Sequence, residues 1–218
     1  MPHAATPLPS VEPARTRQFR VIPGFRDGPP PARREPAIEN AQLAVLVFIA
    51  FEAMIFTGLL VAYWVLRSGS FVWPPPNLPR LPLAVTSVNT CLLLLSAFTM
   101  WRSVAAVRAG RDAGLRTGLA ATTILGTAFV AIQGSEWVRL VGQGLRLSSG
   151  TYGATFYTLI GLHAAHVVGA VIWLAVVFVL AQRGRFSARA NLGVRVCATY
   201  WYFVCILWVV LFGAVYLY

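Results

Sequence analysis

The chain has 218 residues, of which 57% are hydrophobic and only 11% charged, and its mean hydropathy is +0.67. A water-soluble domain carries about a quarter charged residues, so this composition excludes an ordinary soluble fold and calls for long apolar spans. The formal net charge is +11, and all 18 basic residues are arginine. That balance fits a nucleic-acid binder or the basic flanks of membrane helices, and the placement of the arginines decides between them.

In chain order, residues 1–40 come first. They hold nine of the 14 prolines and six arginines, with no apolar core of the kind a cleaved signal peptide needs. They read as a disordered, extended tail. Residues 41–218 form the second unit. A helix needs about 20 apolar residues to cross a bilayer, and five segments qualify: 41–66, 83–107, 118–141, 152–182 and 194–218. Between the first two, the run WPPPNLPRLP (residues 73–82) places five prolines in ten residues, which rules out helix interior and marks a loop at the membrane surface. The expected fold is therefore all-α, a polytopic bundle of five transmembrane helices.

An odd number of spans puts the two ends of this bundle on opposite sides. The tail, the 102–116 connection (Arg102, Arg108, Arg111, Arg116) and the 183–195 connection (Arg183, Arg185, Arg189, Arg195) carry most of the arginines. The other side has only Arg67, Arg80, Arg139 and Arg146. Positively charged loops stay in the cytoplasm, so the N-terminus is expected inside and the C-terminus outside. Arginines spread over helix ends, with no basic soluble module, also set the nucleic-acid reading aside. Trp64, Trp73, Trp137, Tyr152, Tyr216 and Tyr218 fall near span ends, as interfacial aromatics do.

Ionisable residues inside a span are costly and call for a partner or a task. Glu52 lies near the centre of the first span, and His163 and His166 near the middle of the fourth. With alternating helix directions these three share a depth, joined by Tyr202 and Cys205 of the fifth span. Glu52 and the two histidines are candidates for one hydrogen-bonded group. His163 and His166, three residues apart, share a helix face; that spacing permits two metal ligands with Glu52 as a third, but hydrogen bonding between helices is the commoner use. Glu52 has two readings, a proton relay or a carboxyl that locks two helices. Glu136, in QGSEW, lies nearer the outer face and three residues from Arg139, a spacing that suits an ordinary ion pair. Small residues at four-residue spacing (Gly161, Ala165, Gly169, and Gly118, Thr122, Gly126, Gly134) mark faces where helices approach closely. Cys91, Cys197 and Cys205 are isolated in apolar runs and support neither a disulfide framework nor a zinc site.

Other signatures are missing. Two in-membrane histidines are too few for a haem-bearing core, and the cysteines do not cluster with histidine as a dinuclear copper site requires. No phosphate loop or nucleophile elbow is present. The residues alone describe a small helical membrane protein without a redox centre of its own.

Six stretches, in order across residues 40–218, resemble subunit III of the haem-copper oxidases in its short five-helix form. EAMIFTGLLVAYWVLR, from Glu52, is similar to the family's first-helix pattern, and WPP at 73–75 to its loop. VNTCLLLLSAFTM (88–100) is similar to its asparagine–threonine–leucine run, and QGSEW to Q-x-x-E-Y. YGATFYTLIGLHAAHVVG (152–169) resembles G-S-T-F-F followed by T-G-x-H-G-x-H-V. YWYFVCILWVVLFGAVYLY, the C-terminal run, resembles Y-W-H-F-V-D-x-V-W-L-F-L with its closing aromatics. Two positions depart from the pattern: Tyr202 stands where the family has histidine and Cys205 where it has aspartate.

The resemblance implies a subunit without metal that packs beside catalytic subunit I, together with subunit II, holds phospholipid between its helices, and sustains proton uptake during electron transfer to oxygen. It implies haem and copper in the partner subunits, a bacterial cytoplasmic membrane location, and buried polar or lipid-cleft roles for Glu52, Glu136, His163, His166 and Tyr202. An accessory subunit of a nitric oxide reductase is a second reading, and a free-standing transporter or metal-binding membrane protein a third.

Overall fold

The computed structural model describes residues 40–76 and 78–217. The tail expected over 1–40 therefore lies, but for Asn40, outside the described residues. Five long helices make up most of the rest: α1 (Asn40–Ser68), α2 (Leu83–Arg108), α3 (Asp112–Gly142), α4 (Gly150–Gln182) and α5 (Leu192–Leu211). A π-helical segment, Phe212–Leu217, prolongs α5. No strand occurs among the described residues. All five helices are long and apolar enough to cross a membrane, the fifth counted through Leu217. The largest departure from the sequence reading is the start of α3 at Asp112 rather than at 118. Its first turns are polar, so hydropathy misses them, while Asp112 suits the positive end of the helix dipole.

Three of the helices stop in the same way. At the end of α3, Gly144 adopts a φ of 94°, which lets the Leu145 amide donate to the Leu140 carbonyl at 3.0 Å and the Gly144 amide to Val141 at 3.1 Å. These two bonds close a Schellman motif over carbonyls the helix leaves open. The same pair of bonds recurs at Gly110 after α2 and at Gly184 after α4.

Helices α2, α3, α4 and α5 close a ring in which each packs on the next and α5 returns to α2. Helix α1 stands outside that ring, against α4 and α5. It buries only Glu52, Phe56 and Tyr63, a narrow stripe at helical spacing. Phe51, Met54, Val61 and Val65 face outward, as expected of a helix bathed in lipid.

Trp201 and Trp208, both fully buried, fill the centre of the ring. Each indole carries a donor that lipid cannot satisfy, and α2 supplies the acceptors. Trp208 Nε1 donates to Thr90 Oγ1 at 2.9 Å and Trp201 Nε1 to Ser96 Oγ at 3.2 Å. Asn89 Nδ2 donates to the Phe129 carbonyl at 3.1 Å and lies 3.4 Å from Gln133 Oε1. Gln133 Nε2 in turn donates to the Tyr216 hydroxyl at 3.2 Å. Thr99 and Thr122 share a 2.8 Å bond between α2 and α3. Interhelical bonds of this kind average about 0.6 kcal/mol in membrane bundles; their larger effect is to fix helix rotation, since any other rotation leaves a polar group in hydrocarbon.

The proline-rich connection folds back on the bundle. Its Trp73 meets Tyr63 of α1 and Tyr152 of α4 edge-on, with ring centroids 5.8 and 5.1 Å away.

The small-residue stripes are used unequally. A Cβ on Gly126 would lie 2.6 Å from the Trp201 ring, and one on Gly118 would collide with Ser103. A Cβ on Gly134 or Gly169 would meet nothing within 4 Å, and Ala165 is exposed. Close approach thus belongs to the first half of α3 and not to the α4 stripe, which points outward. Gly126→Ala should therefore destabilise the bundle by about 1–3 kcal/mol, while Gly134→Ala should leave it unchanged or slightly firmer. Unfolding midpoints in one detergent check this; equal midpoints for the two variants would contradict the packing described.

Candidate functional site

The structure brings Glu52 of α1 and His166 of α4 together, with His166 Nε2 2.6 Å from Glu52 Oε2. The other ring nitrogen, Nδ1, lies 2.6 Å from the Leu162 carbonyl one turn earlier. A carbonyl only accepts, so Nδ1 carries a proton and donates it. An acidic and a basic group set against each other are tolerated at mid-span more readily than either alone. The pair also ties α1 to the ring.

His163 does not join that pair. Its ring stacks on Trp208, with centroids 5.3 Å apart, and only 1% of the residue is exposed. Neither of its nitrogens has a hydrogen-bond partner. The Phe56 ring of α1 meets both histidines, His166 at 5.5 Å and His163 at 6.4 Å, both near perpendicular. The two imidazoles have different neighbours, Glu52 for His166 and Trp208 for His163, and no group of three or more metal-ligating side chains occurs among the described residues.

Glu136 is buried on α3 and lies 3.7 Å from Arg139 Nη1. It lines an open polar cavity of about 530 Å³ under the proline-rich connection, with Pro76, Pro79, Arg80 and Gln143. Arg80 comes to line the same cavity as Glu136 through that fold-back. Tyr202 is half-buried on α5 and packs against the core; no hydrogen bond joins it to Glu52 or to either histidine among the described residues. The tyrosine facing α1 is Tyr200, whose ring lies 5.8 Å from Phe48 and 5.8 Å from Trp173 of α4.

Among the buried polar residues that sequence reasoning passed over are Asn89, Thr90, Ser96 and Gln133, and Tyr216, expected as an interfacial aromatic, is buried beside them. A signal existed for two of them. Asn89 and Gln133 are amides inside apolar spans, and an amide there needs a partner as surely as an ion does.

Fold and site define a multi-pass helical membrane protein in which some buried polar side chains bond across helices and others bond back to the backbone of their own helix. The family model described as cytochrome c oxidase subunit III matches residues 34–218. The chain is 36% identical to the cytochrome c oxidase subunit 3 of Synechocystis sp., over 79% of this chain and 73% of that protein. It is 35% identical to a probable cytochrome c oxidase subunit 3 of Nocardia farcinica and 32% identical to the cytochrome c oxidase subunit 3 of Thermostichus vulcanus, in both cases over 80% of this chain and 86% of the relative. The chain belongs to the cytochrome c oxidase subunit III family. Nothing in these names supports the nitric oxide reductase or free-standing transporter readings.

The Glu52–His166 contact makes a quantitative prediction. Glu52→Leu and His166→Leu should each cost about 1–3 kcal/mol, because each leaves a buried polar group without a partner. The double variant should cost less than the sum by about 1 kcal/mol or more. Unfolding of the four proteins in one detergent provides the measurement, and strictly additive losses would contradict the contact.

Proposed function

We propose that this chain is the non-catalytic subunit III of a bacterial respiratory haem-copper oxidase, seated in the cytoplasmic membrane beside catalytic subunit I and subunit II. In this reading it supports assembly of the complex, holds phospholipid, and sustains proton uptake by the catalytic subunit while electrons pass to oxygen. Haem and copper reside in the partner subunits. The match to the subunit III family over residues 34–218 carries the proposal.

The site chemistry agrees with it. Glu52 and His166 are set against each other at 2.6 Å, His163 is stacked on Trp208, and Glu136 neighbours Arg139 at the opposite end from Arg195. These are holding and lining arrangements rather than a reaction centre. The orientation proposed, N-terminus cytoplasmic and C-terminus outside, rests on the arginine distribution. At the arginine-rich end, Arg195 Nη2 donates to Gln42 Oε1 at 2.7 Å and links α5 to α1.

The test is a mild-detergent pull-down of the tagged chain from its native membrane, with a reduced-minus-oxidised haem spectrum and assays of oxygen and nitric oxide consumption. The expected result is haem at near-stoichiometric yield and oxygen consumption. A colourless, monodisperse chain, or haem with nitric oxide turnover alone, would overturn the proposal.

A further inference from the structure

At the arginine-rich end of the bundle, α2 and α3 enclose a groove of about 240 Å³. On each helix its lining residues recur three, four and seven positions apart, which is one helix face. Small residues hollow that face, Ala106 on α2 and Gly114, Gly118 and Ala121 on α3. The helices pass close together here, since a Cβ on Gly114 would lie 3.0 Å from the Ala106 Cβ. The wall of the groove is as polar as it is apolar, and its charged residues are Arg102 and Arg111.

Both arginines are exposed, and neither side chain has a hydrogen bond or ion pair among the described residues. Other arginines do find partners: Arg67 meets Tyr63, Arg139 meets Glu136 and Arg195 meets Gln42. No carboxylate lines the groove. Asp112, beside Arg111 in sequence, lies outside its lining and makes no ion pair with either arginine. The two threonines of the wall are already engaged. Thr117 Oγ1 donates to the Ala113 carbonyl at 2.9 Å, and Thr99 Oγ1 bonds to the Ser96 carbonyl at 2.9 Å and to Thr122 Oγ1 at 2.8 Å. The guanidiniums are therefore the unspent side-chain donors of the groove.

We propose that this groove binds one phosphate group at the headgroup level of the membrane. The level follows from helix length. Arg102 lies within the last two turns of α2 and Arg111 just beyond them, and the 26 residues of α2 reach about 39 Å, against about 40–45 Å for a bilayer with its headgroups. The anion follows from the wall, because a guanidinium fork matches paired oxygens of an oxyanion. Two forks call for more than the two oxygens of a carboxylate, and a phosphate supplies them. Size follows from volume. Sites that enclose drug-sized molecules run to about 300–1,000 Å³, so the groove suits a headgroup and is too small for a nucleotide. A lipid headgroup and free phosphate share this chemistry. The groove stands apart from the Glu52–His166 pair, which joins α1 to α4.

The test is a phosphorus-31 NMR titration of the full-length chain in maltoside micelles, with whatever subunits co-purify. The probes are dihexanoyl phosphatidylglycerol and inorganic phosphate, and protein-free micelles give the background. The expected result is saturable, one-site binding of at least one probe. Arg102→Gln and Arg111→Gln should each weaken it about fivefold, and the double variant about twenty-fivefold. Both side chains are exposed, so these changes leave the packed interior alone. Arg108→Gln removes the same charge outside the groove and should change affinity by less than about twofold. Thr117→Trp keeps both arginines but fills the groove, and should abolish binding. Arginine-dependent binding of the lipid alone supports the site with a lipid occupant, and arginine-dependent binding of inorganic phosphate supports it with a soluble one. No saturable binding of either probe, binding that survives the loss of both arginines, or an equal loss in Arg108→Gln would overturn the proposal.

Discussion

Hydrocarbon offers no hydrogen bonds, and the architecture depends on that constraint more than on any other. Each polar side chain within a span must find its partner inside the protein. The indoles of Trp201 and Trp208 show the consequence most clearly. Both are wholly buried in the ring, and each donates to a hydroxyl of α2, at Ser96 and Thr90. With those two bonds made, the rotation of α5 relative to α2 is set. The amides of Asn89 and Gln133 then do the same for α2 against α3, and Gln133 reaches on to Tyr216 in the π-helical end of α5. Apolar packing follows around them, with the absent side chain of Gly126 leaving room for the Trp201 ring.

Helix α1 is attached by a different device. It lies outside the ring and exposes most of its surface, so packing holds it weakly. Its buried stripe of Glu52, Phe56 and Tyr63 compensates with specific contacts: a 2.6 Å approach of Glu52 to His166, a ring edge to both histidines, and an aromatic contact with Trp73 of the proline-rich connection. A helix held this way can be anchored firmly while leaving a broad apolar face toward lipid or a neighbouring subunit. That geometry is consistent with a member of a larger membrane complex.

Much of this was legible in the residues. Span length and the surrounding arginines and prolines located all five helices, because a bilayer imposes one length scale on every crossing. Glu52 lies level with His166, as their depths within the two spans imply. What sequence could not supply was azimuth. Residues three apart on a helix differ by about 60° in direction, enough to send His166 toward α1 and His163 toward Trp208. For the same reason the Gly161, Ala165, Gly169 stripe reads as a helix-packing face, yet Ala165 and Gly169 point outward. Tyr202 and Tyr200 illustrate the point again, since only neighbouring helices reveal that Tyr200 is the one facing α1. The uncharged pairs, Asn89 with Gln133 and the indoles with Thr90 and Ser96, carry no charge to mark them in the sequence, although the cost of an unpaired amide in lipid is of the same kind.

The central claim is that the buried polar residues hold the bundle and do not take part in the reaction. The most direct measurement is the oxygen turnover number per haem of the complex purified with Glu52→Gln, set beside the amount of complex recovered per cell. The account predicts a lower recovery with initial turnover per haem within about twofold of the wild type, a barrier change of less than about 0.5 kcal/mol. Unchanged recovery with turnover reduced tenfold or more would contradict it and would make Glu52 a participant in the chemistry.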